Sequence, residues 1–339
     1  MLGKLLSWRR RSRRLRCAID QNDINGFIDF TLSDGSRFSI LAPDDDYGSN
    51  IRSGSFFEGP VRLACELARP GQVGFDLGAN IGAVALPLAA RGCEVFAFEI
   101  LTDNVDRLHR SSERMATRLM NVVPRAIWSS STQLKIGGHS AWGYVSEQGS
   151  ITVDAISLDD FVTQNAIGRI DLIKMDVEGS ELQALHGMRQ SLDRFSPDMI
   201  IEANILTAGS QNHSVYDLFA NLRRHGYQLY QIHDGILIRF DEHAEQDFLV
   251  TDYLATKTPS SVFSRVSFEQ SSLSNQHLRQ LLLRDANASH YHRKYLAMQA
   301  ERFRAMFSGD QELLSKLDAW RDEACDDYAV GLMTRGSQR

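Results

Sequence analysis

Nothing in this 339-residue chain approaches the ~20 consecutive apolar residues that a bilayer-crossing helix needs, so a transmembrane protein is not expected. Cysteine is sparse. Cys17, Cys65, Cys93 and Cys325 form neither a CxxC pair nor a dense framework, which points to a reducing compartment and to thiols used as small apolar fillers. Basic residues are few beyond the opening segment, where Lys4, Arg9, Arg10, Arg11, Arg13, Arg14 and Arg16 fall within the first seventeen positions without an acid. The net charge is nevertheless −6, so the remainder is acidic, carries no basic stripe and is not expected to bind nucleic acid. In the opening segment the charges follow a short apolar patch, the reverse of a secretory signal, so no cleaved leader is read and a cytoplasmic location is expected. Residues 1–17 read either as a solvated terminus or as a weak membrane-surface contact, each cation near anionic lipid contributing roughly 1 kcal/mol. Internal repeats are absent.

What is present is ordinary globular material, 43% hydrophobic and 24% charged, enough for one large domain and an appendage. Residues 24–42 alternate apolar and polar positions around Ser33-Asp34-Gly35, the pattern of a β-hairpin. With the acidic stretch Asp44–Ser55, read as a surface loop, they make an accessory element over 18–55. Phe56–Arg69 has helical spacing before Pro70-Gly71.

From residue 72 short continuous apolar runs alternate with helical segments, the signature of a parallel sheet buried on both faces. Strands are expected at Val73–Leu77, Glu94–Phe98, Val122–Ala126, Asp171–Met175 and Pro197–Glu202, with a pair of short strands inserted around residues 137–150. Helices are expected between them, and a hairpin through Asp234-Gly235 closes the succession. The reading is a doubly wound, mostly parallel α/β sheet of seven strands over 56–240. A polar linker over 241–275 and a helical extension over 276–339 follow, the latter offering packing or a homo-oligomer contact.

The sharpest local signal is Asp76-Leu77-Gly78-Ala79-Asn80-Ile81-Gly82, where the first strand gives way to a helix. Gly78 and Gly82 permit a tight turn close to a ligand, and ligands in open α/β sheets bind beyond the carboxyl ends of strands. The second strand ends at Glu99, a carboxylate suited to ribose hydroxyls. Asp76 would repel a pyrophosphate but suits an ammonium, and Asn80 adds neutral hydrogen bonds. These features favour S-adenosylmethionine over a nicotinamide or flavin nucleotide. Ala126, Ile127 and Trp128 would pass the adenine edge, with core packing as the competing role.

Together "FDLGANIG", "FAFEI" with Asn104 five residues after Glu99, "IDLIKMDVEGSELQALHG" and "PDMIIEAN" resemble the FkbM family of methyltransferases. The blocks holding Lys174, Asp176, Glu178, Gly179 and Glu181 are the more distinctive, and the resemblance spans roughly 56–240. Leu101-Thr102 stands where the family usually shows a proline soon after the acid. The resemblance implies a Rossmann-like class I methyltransferase fold, S-adenosylmethionine as cofactor, and O-methylation of a sugar, polysaccharide unit or secondary metabolite.

Such chemistry needs a base beside the acceptor. Asp176, Glu178 and Glu202 are the catalytic candidates. Asp176, Glu202 and Asn204 also make a donor set for Mg²⁺ or another divalent cation. For Glu178 and Glu181 the competing role is that of helix N-terminal acids. His139 and His213 sit in loops over the strand ends, His186 and His225 read as packing residues, and Trp142 and Tyr144 could stack on a sugar ring. A cofactor-binding scaffold without catalysis remains a separate reading, disfavoured by the carboxylates.

Overall fold

The computed structural model describes residues 14–22, 25–137, 144–145, 149–211, 213–233, 235–240 and 250–270. Three antiparallel strands come first: β1 (Cys17–Asn22), β2 (Phe27–Leu32) and β3 (Arg37–Leu41). The expected hairpin thus gains a third strand. Its inner face is aromatic, with Phe30 stacked on Phe38 at 5.2 Å and met edge-on by Phe56 at the same distance. The stretch read as a surface loop is instead a helix, α1 (Asp46–Ser53). The Asp45 side chain caps its start by accepting from Gly48 N, and Gly54, at φ +73°, ends it. Ile51 is fully buried, so α1 is anchored in the core. Helix α2 (Gly59–Leu67) follows.

The main domain runs β4 (Val73–Leu77), α3 (Ala85–Ala90), β5 (Glu94–Phe98), α4 (Thr102–Glu113) and β6 (Met120–Val123). An inserted sheet then holds β7 (Ala126–Ile127), β8 (Thr132–Gly137), β9 (Tyr144–Val145) and β10 (Ile151–Ile156), in the order β7-β10-β8-β9. Ala126 therefore belongs to this small sheet, not to the third strand of the main one. Next come α5 (Leu158–Gln164), β11 (Leu172–Met175), α6 (Glu181–His186), α7 (Arg189–Phe195), β12 (Asp198–Asn204), α8 (Ile205–Ser210) and α9 (Val215–Arg224). The chain continues through β13 (Gln228–His233), β14 (Ile236–Arg239), β15 (Val250–Thr256), α10 (Pro259–Arg265) and β16 (Glu269–Gln270).

Among the described residues the main sheet has nine strands, where seven were expected, in the order β16-β14-β13-β15-β12-β11-β4-β5-β6. Strands β6, β5, β4, β11 and β12 are mutually parallel, and the order reverses between β4 and β11, the position where doubly wound sheets hold their ligands. Strand β15 runs antiparallel between β12 and β13.

That strand corrects the expected polar linker over 241–275. Residues 250–270 belong to the same compact unit as the chain before 242, and from Tyr253 to Thr256 every residue is buried. The polar positions that made the stretch look like linker are tied internally. The Thr256 hydroxyl donates to Asp198 Oδ1 at 2.6 Å, and Arg265 donates to Asp198 Oδ2 at 2.7 Å. At the other end, Leu15 is buried and Arg14 is paired with Glu58 at 2.8 Å, so the fold begins inside the segment read as a basic terminus. The rest of that segment, residues 1–13, and the extension 276–339 lie outside the described residues. Among the described residues no helix is long and apolar enough to cross a membrane.

Candidate active site

The loop after β4 is shaped by its neighbours in the chain. Gly78 sits at φ +82°, and a Cβ there would lie 1.8 Å from the carbonyl oxygen of Asp176, so the two strand-end loops touch where only glycine fits. Gly82, at φ +93°, packs against Leu86 and Leu108. The backbone contact requires glycine at 78, which also lines the cavity, and both positions take a φ that favours glycine. The amides of Gly78 and Ala79 donate to Phe98 O, which draws the loop onto the end of β5. Asn80 takes the left-handed conformation at φ +50°, one that asparagine tolerates better than most residues, and its amide donates to Glu99 Oε2 at 2.8 Å.

Glu99 accepts two further amides, Ile100 N and Leu101 N, each at 2.8 Å on Oε1, and a side-chain bond from Asn104. Burial pushes its carboxyl upward against these bonds. A carboxylate has about four acceptor sites, so the chain itself fills Glu99, and a ribose would exchange with the Asn104 amide. Asp76 is different. It is 2% exposed and its Oδ2 has no hydrogen-bond partner among the described residues. Burial pushes this carboxyl up to about 7, with the Lys174 ammonium and the Ala85 amide holding it down.

These groups line a cavity of about 330 Å³ at the strand ends. On one side lie Arg125, Ala126, Ile127 and Trp128, the stretch expected along an adenine edge. The inserted sheet contributes Leu134, Ile136 and Val145, an apolar wall. Gln211 ties this wall to the loop after α8 through a 2.7 Å bond to Val145 O.

The carboxylates expected at the rim converge. One oxygen each from Asp176, Glu178 and Glu202 lie within 4.8 Å of one another. Beneath them is Lys174, 5% exposed, with Nζ 3.4 Å from Asp176 Oδ2 and 3.7 Å from Asp252 Oδ1. Burial alone would lower this ammonium, but Asp176, Asp252, Glu202 and Asp76 outweigh it and hold the lysine charged. Glu178 is at φ +51° and is pushed up to about 9 by burial, with Asp176 and Glu181 adding. Glu202 is driven well up by burial and then by Asp176, Asp252 and Glu178. Asp252 rises to about 6 through burial, moderated by Lys174.

Other expected residues have different duties. Glu181 Oε1 accepts from Val177 N and Gly179 N, which makes it the latch of the loop. Asn204 ends β12, two residues beyond Glu202, and its Oδ1 accepts from Thr207 N at 3.4 Å. His213 has both ring nitrogens against backbone carbonyls, Gly179 O at 2.8 Å and Ser214 O at 3.3 Å, which fixes it as a brace for the loop. His225 faces Asp193 at 2.7 Å, away from the cavity. His139, Trp142 and the side chain of Tyr144 lie outside the described residues. Among the cavity residues that escape the sequence reading, two are polar groups facing the carboxylates and Lys174. Tyr47 comes from α1 and Asp252 from β15, elements that the sequence presents as loop and linker.

Residues 76–229 match the methyltransferase FkbM domain. Over that segment the chain is similar to the FkbM methyltransferases. The hexuronic acid methyltransferase AglP of Haloferax volcanii is 34% identical over 167 residues, which span 46% of this chain and 66% of that protein. Among solved structures, methyltransferase FkbM from Methylobacillus flagellatus is similar at 20% identity and a TM-score of 0.37, over 63% of this chain and 56% of that one. Magnesium protoporphyrin IX methyltransferase from Synechocystis, with bound SAM, is similar at 14% identity and a TM-score of 0.37, over 64% and 86% respectively. The FkbM match begins at Asp76 and ends within β13. Tyr47 and Asp252 therefore reach the cavity from outside the matched segment.

Proposed function

We propose that this chain is an S-adenosylmethionine-dependent O-methyltransferase whose acceptor is a hydroxyl of a sugar or uronic acid. The observation that carries the reading is one cavity holding both the unpartnered Asp76 Oδ2 and the converging Asp176, Glu178 and Glu202. The buried oxygen suits the ammonium of the cofactor's methionine end. The Glu99 and Asn104 pair would take the ribose, and Ala126 with Ile127 the adenine edge, while Gly78, Asn80 and Gly82 shape the loop between them.

Bound S-adenosylmethionine supplies a methyl group on a positively charged sulfur. The chain's part is to hold an acceptor in line and remove its proton. In this reading Asp176 accepts the hydroxyl proton as the oxygen–carbon bond forms, and the pair from the broken carbon–sulfur bond stays on sulfur. Glu178 and Glu202, whose carboxyls burial pushes upward, donate hydrogen bonds to neighbouring acceptor oxygens. Lys174 fixes Asp176 from below. The reading assigns no divalent cation, because an ammonium already sits 3.4 Å from Asp176. The sugar class is supported by the name of the similar Haloferax volcanii protein, a hexuronic acid methyltransferase.

Methyl transfer from radiolabelled S-adenosylmethionine to a panel of neutral sugars and hexuronic acids tests this directly. Label should enter a sugar hydroxyl, survive a chelator and fall by about 10²–10⁴ in Asp176→Asn, the usual scale for loss of a general base. A folded protein that neither binds the cofactor nor labels any member of the panel overturns the reading.

A further inference from the structure

The recognition of an α-amino acid moiety needs two groups side by side, an acceptor for the ammonium and a donor for the carboxylate. Asp76 provides the first if the cavity holds S-adenosylmethionine, and the assignment of the second rests on that same cofactor reading. Four backbone amides of the loop beside Asp76 are already engaged. The amides of Gly78 and Ala79 are committed to Phe98 O, that of Asn80 to Glu99 and that of Gly82 to Ala79 O. Lys174 is held between Asp176 and Asp252.

Tyr47 is positioned to fill the gap. It lines the same cavity, and its phenol lies within electrostatic reach of Asp176, Asp76, Lys174 and Glu99. Among the described residues no protein group hydrogen-bonds to it. Its helix is firmly placed: Asp45 caps the first turn, Arg52 donates to Pro43 O at 2.7 Å, and Ile51 is fully buried. Burial and the surrounding carboxylates push the phenol upward, so it stays a donor.

We propose that Tyr47 donates a hydrogen bond to the α-carboxylate of the cofactor's methionine end, so that the N-terminal module, outside the FkbM match, recognises this group. A phenol that instead served only to fill space would be indifferent to that carboxylate, and the two roles separate in a binding experiment that needs no turnover. Calorimetric titrations of the full chain and of Tyr47→Phe would use two ligands, S-adenosylhomocysteine and its decarboxylated analogue. Tyr47→Phe is expected to bind S-adenosylhomocysteine at least about tenfold more weakly, the scale of one hydrogen bond to a charged group. The decarboxylated analogue should bind both proteins equally, which also shows that the variant is folded. Equal loss for both ligands, or no loss for either, overturns the inference while leaving the cofactor reading intact. Failure of the wild-type chain to bind either ligand overturns both.

Discussion

Asp76 is a buried acid with one oxygen unpartnered, and its protonation links ligand binding to pH. In the free protein its carboxyl is pushed up to about 7 from 3.8, so the fold favours the protonated form. The contribution of this group to stability is therefore greatest at low pH and declines as pH rises from about 4 through about 7. Binding an ammonium reverses the preference. Affinity for S-adenosylmethionine should therefore rise with pH and level off above about 7, changing by about tenfold per unit well below that value. Lys174, Asp176 and Glu99 face the same group, and titrations across pH 5–8 in Asp76→Asn should lose this dependence along with most of the affinity. A pH-independent affinity in the wild-type chain would count against the ammonium site. The backbone at Gly78 is open to a separate test. Gly78→Ala places a methyl 1.8 Å from Asp176 O in a left-handed conformation, at a cost of at least about 2 kcal/mol, roughly 4–8 °C in Tm. An unchanged melting temperature would mean that the contact between the two loops yields freely.

Elements differ in how far they can be read from residues, and the difference has a physical basis. Strands β4 and β5 are short apolar runs bounded by turn residues, and they form where the pattern places them. Strand β15 is as buried, but Thr251, Asp252 and Thr256 interrupt its apolar run, and only tertiary partners reveal why polar groups are tolerated there. Asp252 faces Lys174 from a neighbouring strand, a pairing between residues 78 positions apart that no local pattern announces. Helix α1 is concealed similarly: eight residues with Asp45 and Gly54 at the ends read equally well as a polar loop until Ile51 finds the core. The cofactor loop is legible because its turn chemistry is local. Its glycines read as places of ligand approach, whereas the carbonyl of Asp176 that requires Gly78 is distant in sequence. The buried join of β12 to β15 and α10 can be measured. Asp198→Ala removes the acceptor of both Thr256 and Arg265 and should cost about 2–3 kcal/mol, seen as a lower urea midpoint at unchanged slope. A smaller effect would show that Arg265, 25% exposed, is satisfied by water.

At the scale of the molecule, the segment matched by the family shares its core with its flanks. Its core is continuous with residues on both sides: Phe30, Ile40 and Ile51 before it and Leu254, Val262 and Phe268 after it belong to one buried cluster with Ile81, Leu86 and Val95. Among the described strands β15 lies between β12 and β13, so a chain ending before residue 250 leaves two strand edges unpaired in the middle of a sheet. A polypeptide of residues 76–229 should therefore show no cooperative unfolding transition, whereas residues 14–270 should unfold in one step and bind S-adenosylmethionine. Circular dichroism under urea and calorimetric titration on both polypeptides decide the matter. Cooperative folding and cofactor affinity in 76–229 alone would mean that the flanks only decorate an autonomous domain. Loss of both, restored in 14–270, would mean that the elements carrying Tyr47 and Asp252 to the cavity are also the ones that close its core, so recognition by the flanks cannot be removed without removing the fold.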